Sequence, residues 1–140
     1  MIYIKITVTG EPDTFPFTKV YQYSSKSDEE IFINSAILIK DRLGKNLRIN
    51  INEAILVYSS FIVSELRDSR PIEQIQKNAS NLLRPEQVMI GVPETLQKMS
   101  FEIMLDDQHM KSIILNTPIQ ISDYILNNPA KWKADKFYPA

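Results

Sequence analysis

The chain opens on strict alternation. Ile2, Ile4 and Ile6 are interleaved with Tyr3, Lys5 and Thr7, the period-two pattern of a β-strand with one buried face. GEPDTFPF then holds a glycine and two prolines and predicts a turn. TKVYQY, 18–23, reads as a second strand, so residues 1–24 predict an N-terminal β-hairpin.

The period then lengthens. Ser27-Asp28-Glu29-Glu30 has the form of a capping box, with acids where the helix dipole favours them. A helix over 28–43 follows, with Phe32, Ala36, Ile39 and Leu43 along one face. Ile31, Ile33, Ile37 and Leu38 widen that face, so the helix reads as buried or as covered by a partner. Gly44 ends it. LRIN leads to a second helix, whose start carries Asn50 with Glu53 three residues on. Ile51, Ala54, Ile55, Tyr58, Phe61, Ile62 and Leu66 keep the i, i+3, i+4 spacing, and Arg67, Asp68 and Arg70 mark the exit. Pro71 suits the first turn of a third helix with Ile72, Ile75, Ala79, Leu82 and Leu83 as its stripe. Pro85 opens a short fourth helix. Gly91 closes it by taking the left-handed conformation, and Pro93 blocks continuation.

After Pro93 the period returns to two. Met99, Phe101, Ile103 and Leu105 alternate with Ser100 and Glu102, DDQH predicts a turn, and MKSIILN predicts the returning strand. The fold class is α+β: three to four helices followed by an antiparallel β-hairpin, with the extra hairpin at the N-terminus. The segment after Pro118, ISDYILNNPAKWKADKFYPA, has no clear period and reads either as a disordered tail or as one laid across another surface. The expected division is 1–24, 25–119 and 120–140.

Composition narrows the function. A chain of 140 residues, 44% apolar and 24% charged, suits one globular domain. A net charge of -1 without a basic patch argues against nucleic acid or anionic membrane as the main partner. No apolar run is long enough to span a bilayer, and the start lacks the form of a signal peptide. A cytoplasmic location is the expectation. The absence of cysteine removes disulfide and thiolate chemistry. Three scattered glycines give no phosphate-cradling loop, and a single histidine removes His-rich metal sites and most triads.

The remaining polar residues have plain readings. His109 is a turn histidine rather than a catalytic base, because it lacks a partner. Asp106 and Asp107 are turn formers, since a calcium loop needs many more oxygens. Glu29, Glu30 and Glu53 belong to helix starts. Arg67-Asp68-Arg70 is either a site for a partner's carboxylate or a solvated helix end. Tyr21, Tyr23, Tyr124, Trp132, Phe137 and Tyr138 gather in the two ends of the chain. They either anchor an interface or cap the domain's own core. No catalytic constellation emerges.

Three stretches carry a resemblance. LRININEAILVYSSFIVSELRDSRPIEQI, 47–75, resembles the second-helix region of urease gamma subunits, with Leu47, Ile49, Asn50, Glu53, Ala54, Phe61, Ile62, Arg67 and Asp68 in register. LLRPEQVMIGVPETL is similar to the family's next motif through Val88, Met89, Gly91, Val92, Pro93 and Glu94. SFEIML and IILNTPI resemble its closing hairpin through Glu102, Pro118 and Ile119. The resemblance covers about 25–119. Ser69 stands where the family has glycine, Ala79-Ser80 where it has Gly-Arg, Ile90 where it has an acid, and Asn116 where it has histidine.

The resemblance implies a small non-catalytic subunit that packs on the large alpha subunit of a urease, within trimers of alpha-beta-gamma units. It places two nickel ions in alpha and no cofactor in this chain. Asn50, Glu53, Phe61, Arg67, Asp68, Gly91, Val92, Pro93, Glu94, Pro118 and Ile119 are then the candidate interface or motif residues. The other reading is a gamma-like domain reused as a binding or scaffold module without ureolysis.

Overall fold

The computed structural model describes residues 1–10, 16–106 and 108–120. The expected tail, with Tyr124, Trp132, Phe137 and Tyr138, lies outside them, as do Asp107 and the centre of the GEPDTFPF turn. Strand β1, Ile2–Thr9, and strand β2, Phe17–Tyr23, are followed by helices α1, Lys26–Gly44, and α2, Ile51–Arg67. Helix α3, Ile72–Ala79, a 3-10 turn at Pro85–Gln87 and a one-turn helix α4, Val92–Thr95, come next. Strands β3, Lys98–Leu105, and β4, Lys111–Asn116, complete the order.

The two hairpins are not separate. They form one antiparallel sheet in the order β2-β1-β3-β4. β1 pairs with β3 from Ile2 opposite Leu105 to Thr9 opposite Lys98. Ile2, Ile4, Ile6 and Val8 therefore share an inward face with Met99, Phe101, Ile103, Leu105, Ile113 and Leu115, and all of them are buried. The helices cover this face in a two-layer arrangement around one core. Full burial of one such aliphatic side chain is worth about 1.5–3 kcal/mol.

α2 is the central helix. Ala54, Ile55, Val57, Tyr58, Ser59, Ile62, Val63 and Leu66 are buried around most of its circumference. Its start is a complete capping box: the Asn50 side chain accepts from the Glu53 N–H at 2.8 Å, and Glu53 accepts from the Asn50 N–H at 3.0 Å. Buried Ser59 is satisfied by donating to the Ile55 carbonyl at 2.7 Å. The Tyr58 hydroxyl is buried without a partner among the described residues, and burial pushes its pKa up.

Several expectations need correction. The cap of α1 is Ser25, whose side chain accepts from the Asp28 N–H at 3.1 Å; Ser27 lies inside the first turn, so the Ser-x-x-Glu pattern was a coincidence of spacing. Pro71 precedes α3 as its cap, and Leu82 and Leu83 lie beyond the end of that helix. Gly44 does end α1, yet the left-handed residue of the connection is Asn46.

The largest correction concerns Gly91. Residues 85–91 do not form a helix that Gly91 closes. After the 3-10 turn the chain extends, and Val88 forms a parallel bridge with Ile49. The Met89 N–H donates to the Ile49 carbonyl at 2.8 Å, and the Ile49 N–H to the Gln87 carbonyl at 3.1 Å. Gly91 is left-handed as expected, with φ 85°, but it caps the start of α4, and Pro93 sits in that first turn. A proline needs no N–H there, so it begins a helix as readily as it blocks one.

No heavy atom crowds a Cβ placed on Gly91, so strain there comes from φ alone. Gly91→Val is expected to lower stability by about 1–2 kcal/mol, and Gly91→Asn by less, because Asn tolerates the left-handed region. Thermal melting of the two variants decides, and equal melting would show that Gly91 is not left-handed in solution. Tyr58→Phe is expected to hold or raise the melting temperature, since the hydroxyl is desolvated without a bond in return. A marked loss would reveal a hidden partner.

Candidate interaction surface

The candidate residues fall into three places. At the start of α2, Asn50 and Glu53 cap the helix, and Glu53 also forms an ion pair with Arg42 of α1. At its other end, roughly 25 Å away at about 1.5 Å per residue, Asp68 is the C-cap, and Arg67 turns back toward α1. Phe61 lies between them, half-buried against the core.

The third place joins the two later motifs. Gln97 links them: its carbonyl accepts from the Thr117 N–H at 2.5 Å, and its side-chain amide donates to the Pro93 carbonyl at 3.0 Å. Val92, Pro93, Pro118 and Ile119 are buried at this corner. Glu94 is half-buried, and one carboxylate oxygen has no hydrogen-bond partner among the described residues. These motif residues shape the corner, and most of their apolar area is spent inside the domain.

Arg67 belongs to a network that local sequence does not announce. Its guanidinium donates to Glu29 Oε1 at 2.5 Å. The Met1 amino group donates to Glu29 Oε2 at 3.1 Å and to Asp106 Oδ1 at 2.9 Å. The network thus ties β1, α1, the end of α2 and the β3–β4 connection. Arg70 pairs with Glu65 at 3.1 Å. Arg67 and Arg70 pair with carboxylates of this chain, an internal tie that neither reading of the charged exit foresaw. Arg67 hydrogen bonding is the main influence holding the Glu29 carboxyl below its ordinary pKa, opposed by burial and assisted by the terminal amine. Asp106 is held down by that amine, whose own pKa is raised by Asp106 and Glu29.

Four of the exposed large apolar side chains lie on α1. Ile31, Ile33, Ile37 and Leu38 are 62%, 43%, 56% and 66% exposed. The sequence pattern placed them on a widened face, either buried or covered by a partner. Phe32, Ala36 and Ile39 are the α1 residues that bury, because α2 and β2 meet the helix along a narrower stripe. Ile33 and Ile37 border a groove of about 280 Å³ against Ser60, Val63 and Ser64 of α2, with Arg67 and Asp68 also lining it. Tyr21 and Tyr23 lie on the inner side of β2, and the Tyr23 ring meets Phe32 at 4.9 Å. Those two aromatics cap the domain's own core. His109 is exposed at the β3–β4 connection. Among the described residues no three His, Cys, Asp or Glu side chains gather as a metal site.

Comparison with known proteins gives a consistent result. The family model described as Urease, gamma subunit, matches residues 22–119. The urease subunit gamma of Prochlorococcus marinus strain MIT 9313 is 30% identical over 95 residues, 68% of this chain and 94% of its own. That of Halalkalibacterium halodurans is 30% identical over 93 residues, 66% and 92% of the two chains. That of Prochlorococcus marinus strain NATL1A is 28% identical over 101 residues, 72% of this chain and all of its own.

The Glu29–Arg67 pair has a testable pH signature. A carboxyl whose pKa is lower in the folded than in the unfolded chain stabilises the fold above its ordinary value, here 4.5. That contribution is lost as pH falls through the folded value. Glu29→Gln is therefore expected to lower the melting temperature at neutral pH and to flatten its decline on acidification. Melting curves followed from neutral pH into acid check this, and parallel profiles for the two proteins would show that the pair does not form.

Proposed function

The chain belongs to the urease gamma-subunit family, and from that premise we propose that it is a non-catalytic small subunit of a nickel-dependent urease. The complex hydrolyses urea to ammonia and carbamate or CO2, with this chain packed on the large catalytic subunit. The observation that carries the reading is the extent of the match, since whole gamma subunits align with this chain from end to end or nearly so. Alpha and beta subunits complete the complex as trimers of alpha-beta-gamma units. The two nickel ions belong to alpha. The complex works in the cytoplasm; no helix among the described residues is long and apolar enough to cross a membrane.

The division of labour follows from the surface. Gly91–Glu94 and Pro118–Ile119 set the corner that turns the helical layer into β3–β4. Asn50, Glu53, Phe61, Arg67 and Asp68 fix α2 and its ends. The α1 surface, with Ile31, Ile33, Ile37 and Leu38 open to solvent, meets the large subunit. Ile33 and Ile37 lie on one flank of the buried stripe and Leu38 on the other, and burial of these side chains in a complex would recover their hydrophobic free energy.

Purification of the chain from its own cells, followed by assay of the eluate for nickel and for ammonia release from urea, tests the proposal. The expected result is a large complex with both. A chain that elutes alone, or with other proteins and no nickel, overturns it. Ile37→Glu localises the contact. The isolated variant should melt within about 0.5 kcal/mol of the parent, as surface changes do. Its recovery in the complex should fall about tenfold or more, the effect of losing one anchor residue. Undiminished recovery would move the contact off α1.

A further inference from the structure

The family match begins at residue 22, after β1 and most of β2. Relatives aligned over 94% to 100% of their own length have too few residues left to build such a hairpin. The span that the family model matches, residues 22–119, includes β3 and β4 and leaves out β1. A two-stranded hairpin is marginal by itself, and the open edge of β3 is a template for a further strand. In this chain that edge is filled. Lys98 to Leu105 are paired with β1 throughout, and β1 places Ile2, Ile4, Ile6 and Val8 beneath the helices.

We propose that the β1–β2 hairpin is a built-in substitute for a strand that, in the short gamma chains, is donated by a neighbouring subunit. The β3 edge is then a subunit-contact surface whose occupant is an extended segment with alternating apolar side chains. Backbone pairing supplies its affinity, and every second side chain supplies its specificity. In this chain the contact has been internalised. β1 stays in place when the complex forms, and neighbouring subunits bind through the helical layer instead. The inference rests on reading the chain as a subunit of a urease complex.

A lock on the hairpin tests this. Thr7 and Ser100 lie directly opposite one another on β1 and β3, half-buried on the side away from the helices. The chain has no cysteine, so within one chain the double variant Thr7→Cys, Ser100→Cys can form a single disulfide, which fastens β1 to β3; non-reducing electrophoresis separates it from disulfides between chains. The full-length variant is expressed in place of the parent, and its recovery in the complex is compared in oxidised and reduced forms. Equal recovery of both forms and of the parent is expected. Exclusion of the oxidised form, reversed by reduction, would overturn the proposal, because β1 would then have to leave.

Hydrogen exchange on the unmodified chain gives an independent answer should the disulfide disturb folding. Protection of β1 and β3 should be the same in the free chain and in the complex. Loss of protection in β1 on assembly, with β3 still protected, would likewise overturn it. Failure of the unmodified chain to join any urease complex overturns the functional reading and this inference with it. That failure is recognised by its affecting the parent and both forms of the variant alike.

Discussion

The pairing of β1 with β3 is the constraint on which the architecture depends. It joins the first residues of the chain to a strand from its far end and converts two marginal hairpins into one sheet. Only then do Ile4, Ile6, Phe101 and Ile103 form a continuous apolar floor. α2 needs that floor. A helix buried around most of its circumference must be met from several sides, and here it has the sheet with α1 and α3 as further neighbours. The Met1–Glu29–Arg67 network lies on the same arrangement and ties its corner with charge.

Local signals were legible in the sequence. The alternation at Ile2–Ile6 and Met99–Leu105 marks the strands, because one face meets a core and the other meets water. Asn50 with Glu53 marks the start of α2 through a cap completed within four residues. Signals that depend on distant residues were not legible. Alternation says that β1 has a buried face, but it does not say which strand lies beside it. Glu29 satisfies the rule for a helix start, and nothing near it names Arg67 as its partner. The isoleucines of α1 show the limit of counting apolar positions. Ile31 and Phe32 are adjacent and equally apolar, yet one is exposed and the other buried.

Gly91 shows a different limit. Its left-handed φ was readable from residue type, because few other residues tolerate it. The side of the helix it serves was not. A left-handed residue beside a proline suits a helix that has just ended or one about to begin. The Ile49–Val88 bridge decides between them by holding the preceding residues extended. The family motif is thus a structural hinge point first. Its buried members Val92 and Pro93, and Ile119 of the closing motif, are committed to the interior, whereas Ile31, Ile33, Ile37 and Leu38 of α1 are open to solvent.

The place of β1 in the sheet also sets an order of events during synthesis. β1 leaves the ribosome before β2 and can meet it early, but β3 is made only after α1 to α4. Until then one edge of β1 and its row of isoleucines have no final partner, and closing so long a loop is entropically slow. The nascent chain therefore carries an aggregation-prone edge through most of its translation. Completion of the sheet, and with it a surface fit for a neighbouring subunit, waits for the release of the C-terminal hairpin. The sheet closes when an early strand meets one made after all the helices.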